Sequence, residues 1–249
     1  MLKPRTTPTA EDLRKNMLST YFFLRTGIVA ISAALPIALL AYSLISHHGL
    51  EQHSMSAFYG AYDGDMRNWF VGTLCALGAF LVLYKGFTFA EEMALNAAGL
   101  FAVVVAMKPC NCWDAGAVNS KLHLAAALSF FASMAYVCFF CAKTTISLLP
   151  DTKTREAFAR RYHAIGVALI LSPAAAVPAS YLTGSLQTLA FFVEWFAVWA
   201  FASYWFTKTR EFRITAAEKR ALRGELAYVK GVGLVDLKAQ AAAPPVQTR

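Results

Sequence analysis

Six long runs of this chain carry almost no charge, and a run of about 20 apolar residues is what an α-helix needs to cross a bilayer core. They fall near residues 19–46, 68–85, 92–108, 122–146, 162–182 and 186–207. Each is apolar nearly all round, so length and lack of charge carry the assignment rather than an amphipathic period. Membrane-crossing strands are excluded, because those are segments of about 10 residues with alternating polarity. Composition agrees: 57% of residues are hydrophobic and 15% charged, where soluble chains hold about a quarter charged. The expected fold class is all-α, a polytopic membrane protein with six transmembrane helices in one bundle. The first run is long, holds Pro36 and lacks a clean small-residue cleavage site, so it reads as a retained span.

The basic residues set an expected orientation. With the N-terminus in the cytoplasm, that side receives Lys3, Arg5, Arg14, Lys15, Lys85, the Lys143–Arg161 loop and the basic tail, with Arg25 near enough to snorkel. The other side keeps Arg67, Lys108 and Lys121. A multi-pass protein of the plasma (bacterial inner) membrane is therefore expected, with both termini cytoplasmic. The net charge of +8 becomes a cytoplasmic collar, and no nucleic-acid partner is expected. The organisation expected is a cytoplasmic segment 1–18, a membrane domain 19–207 and a basic tail 208–249. Within the tail, 215–230 reads either as a helix on anionic headgroups or as a solvated helix, and the last residues read as disordered.

Small residues recur every fourth position: Ala94, Ala98, Ala102 and Ala106 on the third span; Ala125, Ser129 and Ser133 on the fourth; Ala164, Ala168, Ser172, Ala176 and Ser180 on the fifth. Such faces are expected to pack against neighbouring helices. Pro173 and Pro178 are expected to kink or loosen the fifth span.

Polar groups at membrane depth are expensive to insert, so they mark sites. Glu194 stands about 12 Å into the last span. Asn96 lies in the third span and His123 opens the fourth. The loop 47–67 interleaves His47, His48 and His53 with Ser56, Tyr59, Asp63, Asp65 and Arg67. This loop, His123 and Glu194 belong to one side, so they are expected to converge on an outward-facing polar pocket. In it, Ser56 with His123 as base and Asp65 as orienter has the residue types of a nucleophilic triad, without a G-x-S-x-G elbow. The His and Asp residues are metal-ligand types, yet no zinc spacing occurs, and neither metal nor cofactor is expected. No dinucleotide or phosphate-loop motif and no repeat is present. Cys110 and Cys112 fall in an outer loop. Cys75, Cys138 and Cys141 read as small buried apolar groups.

The runs Ser56–Tyr59, Met66–Gly72, Gly78–Leu81 and Tyr84–Gly86, with Asn96–Gly99, His123 and Phe191–Trp195, resemble the Frag1/DRAM/Sfk1-like (DUF998-like) six-span membrane proteins over about residues 20–207. The resemblance implies a six-span fold and a link to lipid remodelling or membrane lipid organisation. The chain is more distantly similar to ceramidase-like hydrolases, which hold zinc with Ser, Asp and three His. Their seventh span and paired histidines are missing here. Three functions stay open. The leading one is a pocket that binds or handles a lipid-like molecule, with membrane lipids as partners. The second is a non-catalytic subunit of a membrane complex, or a homo-oligomer. The third is a membrane-embedded lipid hydrolase.

Overall fold

The computed structural model describes residues 9–46, 54–60, 65–108, 118–179 and 188–237. Six helices among them are long and apolar enough to cross a membrane. These are α1 (Ala10–Ile45), α2 (Asp65–Leu83), α3 (Phe89–Met107), α4 (Val118–Tyr136), α6 (Thr152–Ala179) and α7 (Leu189–Thr215). A π turn (Val137–Cys141) carries α4 into the short α5 (Lys143–Ile146). The chain is an all-α bundle of the multi-pass membrane type.

Packing follows a closed ring. Helix α1 packs on α2 and α7, α2 on α3, α3 on α4, α4 on α6, and α6 on α7. Glycine sets the tightest of these contacts. A Cβ on Gly78 would lie 2.7 Å from the Gly99 carbonyl oxygen, and one on Gly99 would lie 2.6 Å from the Gly78 oxygen. Two bare backbones thus meet across α2 and α3, as small-residue pairs allow in lipid. The small-residue faces hold in part. Ala98, Ala102, Ala106, Ser172 and Ala176 are buried, whereas Ala125 and Ala164 are exposed. On α4 the inward face is instead Ala126, Met134 and Ala135. The Ser172 hydroxyl donates to the Ala168 carbonyl at 2.7 Å, one turn back on its own helix.

The two ends of the ring differ. One end carries a short 3₁₀ helix, η1 (Met55–Tyr59), which sits on α2, α1 and α7. We call it the turn end. The other carries α8 (Ala217–Leu222) and an antiparallel hairpin of β1 (Leu226–Val229) and β2 (Gly233–Asp236). We call it the hairpin end. Between them the core falls into two clusters, one around Tyr84, Tyr162, Tyr204 and Trp205, the other around Leu39, Phe58 and Phe191.

Three sequence expectations change at the hairpin end. Helix α1 begins at Ala10 rather than near 19, because Thr9 and Asp12 cap each other's backbone amides. Its 36 residues give a rod of about 54 Å, longer than the roughly 30 Å hydrocarbon core. Arg25 does not snorkel away: it is buried, pairs with Glu218 and lies 5.0 Å over the Phe212 ring. The segment 215–230 is no single surface helix. It turns at Ala216, whose φ of 48° breaks the helix, and then runs through α8 into β1. Residues 239–249, expected as disordered, lie outside the described residues.

The hairpin is docked. Ser147 Oγ donates to the Leu234 carbonyl at 2.8 Å, and Arg220 pairs with Asp236 at 2.6 Å. Gly233 has φ +103°, and a Cβ there would lie 2.8 Å from the Thr144 carbonyl oxygen. Gly233→Ala is therefore expected to cost about 1–3 kcal/mol locally and to lift the hairpin off α5. Trypsin should then cut at Lys230 well before it cuts the bundle. Unchanged cleavage there would contradict this docking.

Candidate functional site

At the turn end, Glu194 points from the second turn of α7 toward η1. Ser54 Oγ lies 2.8 Å from Glu194 Oε1 and 3.0 Å from Oε2. The Met55 backbone N–H donates to Glu194 Oε2 at 2.7 Å. The Ser56 N–H in turn donates to Ser54 Oγ at 3.2 Å. A carboxyl group that would be costly alone in a membrane thereby becomes the anchor of a short helix.

The anchored turn presents Ser56 to α4. His123 Nε2 lies 2.9 Å from Ser56 Oγ, and His123 Nδ1 lies 2.7 Å from the Lys108 carbonyl oxygen at the end of α3. A carbonyl oxygen only accepts, so Nδ1 carries the proton. In the neutral ring Nε2 then accepts from the Ser56 hydroxyl. The group seen to orient the ring is the Lys108 carbonyl; the orienting role expected of Asp65 falls on a side chain outside the described residues. His123 itself is 5% exposed.

Below this polar knot lies a cavity of about 250 Å³. Its mouth holds Ser54, Ser56, Ser120, Lys121, His123 and Glu194. Its walls are apolar and include Leu74 and Leu77 of α2, Ala127 and Phe131 of α4, Ala176 of α6 and Phe201 of α7. From Ser120 to Phe131 the lining follows α4 for about 16 Å. Leu124 and Leu128 line the cavity and are also 41% and 38% exposed. These two leucines therefore stand between the cavity and the apolar outer surface of the bundle.

Of the residues singled out in the sequence, Glu194, Ser56 and His123 come together at this mouth. Arg67 stands apart and exposed, its guanidinium 5.9 Å over the Tyr59 ring. Asp65 is the first residue of α2, and its side chain lies outside the described residues, as do Asp63, His47, His48, His53, Cys110 and Cys112. Asn96 does not line the cavity, and its buried Oδ1 has no hydrogen-bond partner among the described residues. Cys138 and Cys141 are buried in the π turn, and Cys75 is half-buried. No group of three or more His, Cys, Asp or Glu with metal-holding geometry occurs among the described residues.

A second polar cluster near the hairpin end was not singled out in the sequence. Lys208 and Glu211 were read as tail, but α7 runs on to Thr215 and both are fully buried. Lys208 Nζ donates to Thr145 Oγ1 at 2.6 Å and lies 3.7 Å from Glu211 Oε2. The Tyr162 hydroxyl donates to Glu211 Oε2 at 2.5 Å. Glu91, equally buried, accepts the Phe87 N–H at 2.9 Å. The signal available was the K-x-x-E spacing, which puts Lys208 and Glu211 on one face of a continued helix.

No family model, curated protein or solved structure matches the chain.

Proposed function

We propose that the chain is a membrane protein whose turn end faces away from the cytoplasm and holds a single-chain lipid, the alkyl tail in the cavity and the polar group at Ser56, His123, Glu194 and Lys121. The observation that carries this reading is the joint exposure of Leu124 and Leu128. A cavity separated from an apolar outer face by two leucines admits a molecule from the bilayer rather than from water. Its shape suits one tail: narrow, about 16 Å along α4, with hydrogen-bonding groups at one end only. The distribution of basic residues supports the orientation. Among the described residues, the turn end carries Arg67, Lys108 and Lys121, while Arg14, Lys15, Lys85, Lys143, Lys153, Arg155, Arg160 and Arg161 cluster toward the hairpin end.

The test is native mass spectrometry of protein purified from membranes in a mild detergent. The wild type should retain a lipid with one alkyl chain. Ala127→Phe and Ala176→Phe, which place rings in the cavity, should each lower its occupancy at least about tenfold while the protein stays monodisperse. Absence of retained lipid in the wild type, or retention untouched by either ring, would overturn the proposal.

A further inference from the structure

We infer that Ser56 is a nucleophile and His123 its general base, so that the pocket cleaves the ester of a monoacyl lipid through an acyl-serine. The inference rests on the lipid pocket proposed above and adds a reaction to it.

Three observations carry it. The hydrogen bonds fix a direction for the proton: Ser56 Oγ–H donates to His123 Nε2 at 2.9 Å, and His123 Nδ1–H donates to the Lys108 carbonyl at 2.7 Å. Nucleophile, base and orienter follow one another as acyl-transfer chemistry requires. The free-base nitrogen of the ring thus meets a hydroxyl, the group it would deprotonate. The second observation is the support. Ser56 sits on a 3₁₀ turn tied at Ser54 and Met55 to Glu194 of another helix, which holds its Oγ in place from outside its own segment. The third is position. Ser56 and His123 both line the cavity mouth, beside Lys121. An acyl tail lying along α4 leaves its first carbon, the ester carbonyl, at the level of Ser56.

Ser56 Oγ attacks the ester carbonyl carbon, and its proton passes to His123 Nε2. The tetrahedral oxyanion forms at the polar end of the cavity, whose lining includes Lys121. It collapses with cleavage of the bond to the alcohol oxygen, which takes the proton from His123 Nε2. The alcohol departs and the acyl group stays on Ser56. Water then loses a proton to His123 and attacks the acyl carbonyl. Ser56 regains the proton and the fatty acid leaves. No redox partner or metal enters the balance. A second carboxylate-type orienter is replaced by a neutral carbonyl, so the imidazolium is stabilised by a dipole rather than a charge.

A fluorophosphonate with a decyl chain, incubated with the purified full chain, tests it. The adduct is located by peptide mass spectrometry, and retained lipid is measured on the same samples. In the wild type the adduct should map to Ser56. Ser56→Ala should give no adduct, and His123→Gln should label at least about 100-fold more slowly. Hydrolysis of p-nitrophenyl decanoate should fall in parallel in both variants. Retained lipid without an adduct in the wild type, or an adduct on another residue, would overturn the acyl-serine and leave the lipid pocket standing. Absence of both lipid and adduct would overturn the two together. Labelling of His123→Gln at the wild-type rate would remove the base role of His123. If Ser56→Ala fails to fold, the wild-type adduct site and the His123→Gln rate still decide.

Discussion

Replacing Lys208 by methionine is expected to destabilise the bundle by about 3–5 kcal/mol, the scale for breaking a buried ion pair from one side. Methionine keeps the length and apolar stem of the side chain, so the loss isolates the ammonium. That ammonium has no exposure, donates to Thr145 Oγ1, lies 3.7 Å from Glu211 and sits 4.9 Å over the Phe212 ring and 5.6 Å over that of Tyr162. Around it stand two fully buried carboxyl groups, Glu91 and Glu211, and one oxygen of each has no hydrogen-bond partner among the described residues. Without the cation these groups face each other with no compensating charge. Lys208→Met with Glu211→Gln should therefore cost less than the sum of the two single changes, because the pair is removed together. Reversible unfolding in detergent gives the cycle. A single-variant loss below about 0.5 kcal/mol, the range of unremarkable surface changes, would mean that Lys208 is not the charge on which this cluster depends.

Glu194→Ala is expected to release the 3₁₀ turn from α7. The carboxylate accepts the Ser54 hydroxyl and the Met55 N–H, and alanine leaves both donors without an acceptor. Each stranded buried donor costs about 1–3 kcal/mol. Together they cost about 2–6 kcal/mol, so local opening of residues 54–60 should become at least roughly 30-fold more frequent, read as faster amide hydrogen exchange confined to that peptide. Glu194→Gln should lie between, since its carbonyl oxygen still accepts one donor while its amide nitrogen accepts none. Lipid retention should follow the same order: wild type, Gln, Ala. Exchange that rises evenly over the whole chain would point to global destabilisation instead and contradict an anchoring role.

The spans were legible because membrane insertion depends on length and on the scarcity of charge, and both are visible in one sequence. Their ends were less so. The start of α1 rests on a mutual cap between Thr9 and Asp12, and the end of α7 on the burial of Lys208 and Glu211 by partners from α3, α5 and α6. A lysine next to an apolar run looks like a collar until its partners are known. The hairpin carries its own signal, Gly231 and Gly233 between two short apolar runs, but the charges around it suggest a surface helix equally well. At the turn end, the convergence of Glu194, Ser56 and His123 was readable as residue types sharing one side of the membrane. The orienting partner of His123 was not, because it is the backbone carbonyl of Lys108, and a carbonyl has no residue type to read. The cavity was hidden for a related reason. Its walls are leucine, alanine and phenylalanine, identical in sequence to residues that pack solidly.

The central claim is that Ser56, His123 and Glu194 close the mouth of a tail-shaped cavity facing the bilayer. A density map of the full chain in lipid nanodiscs tests it most directly. The account predicts elongated density running from Ser56 to the level of Phe201, between α2, α4, α6 and α7, with His123 Nε2 within hydrogen-bond distance of Ser56 Oγ. Side chains filling that space, with Ser56 and His123 turned to different faces of the bundle, would contradict it.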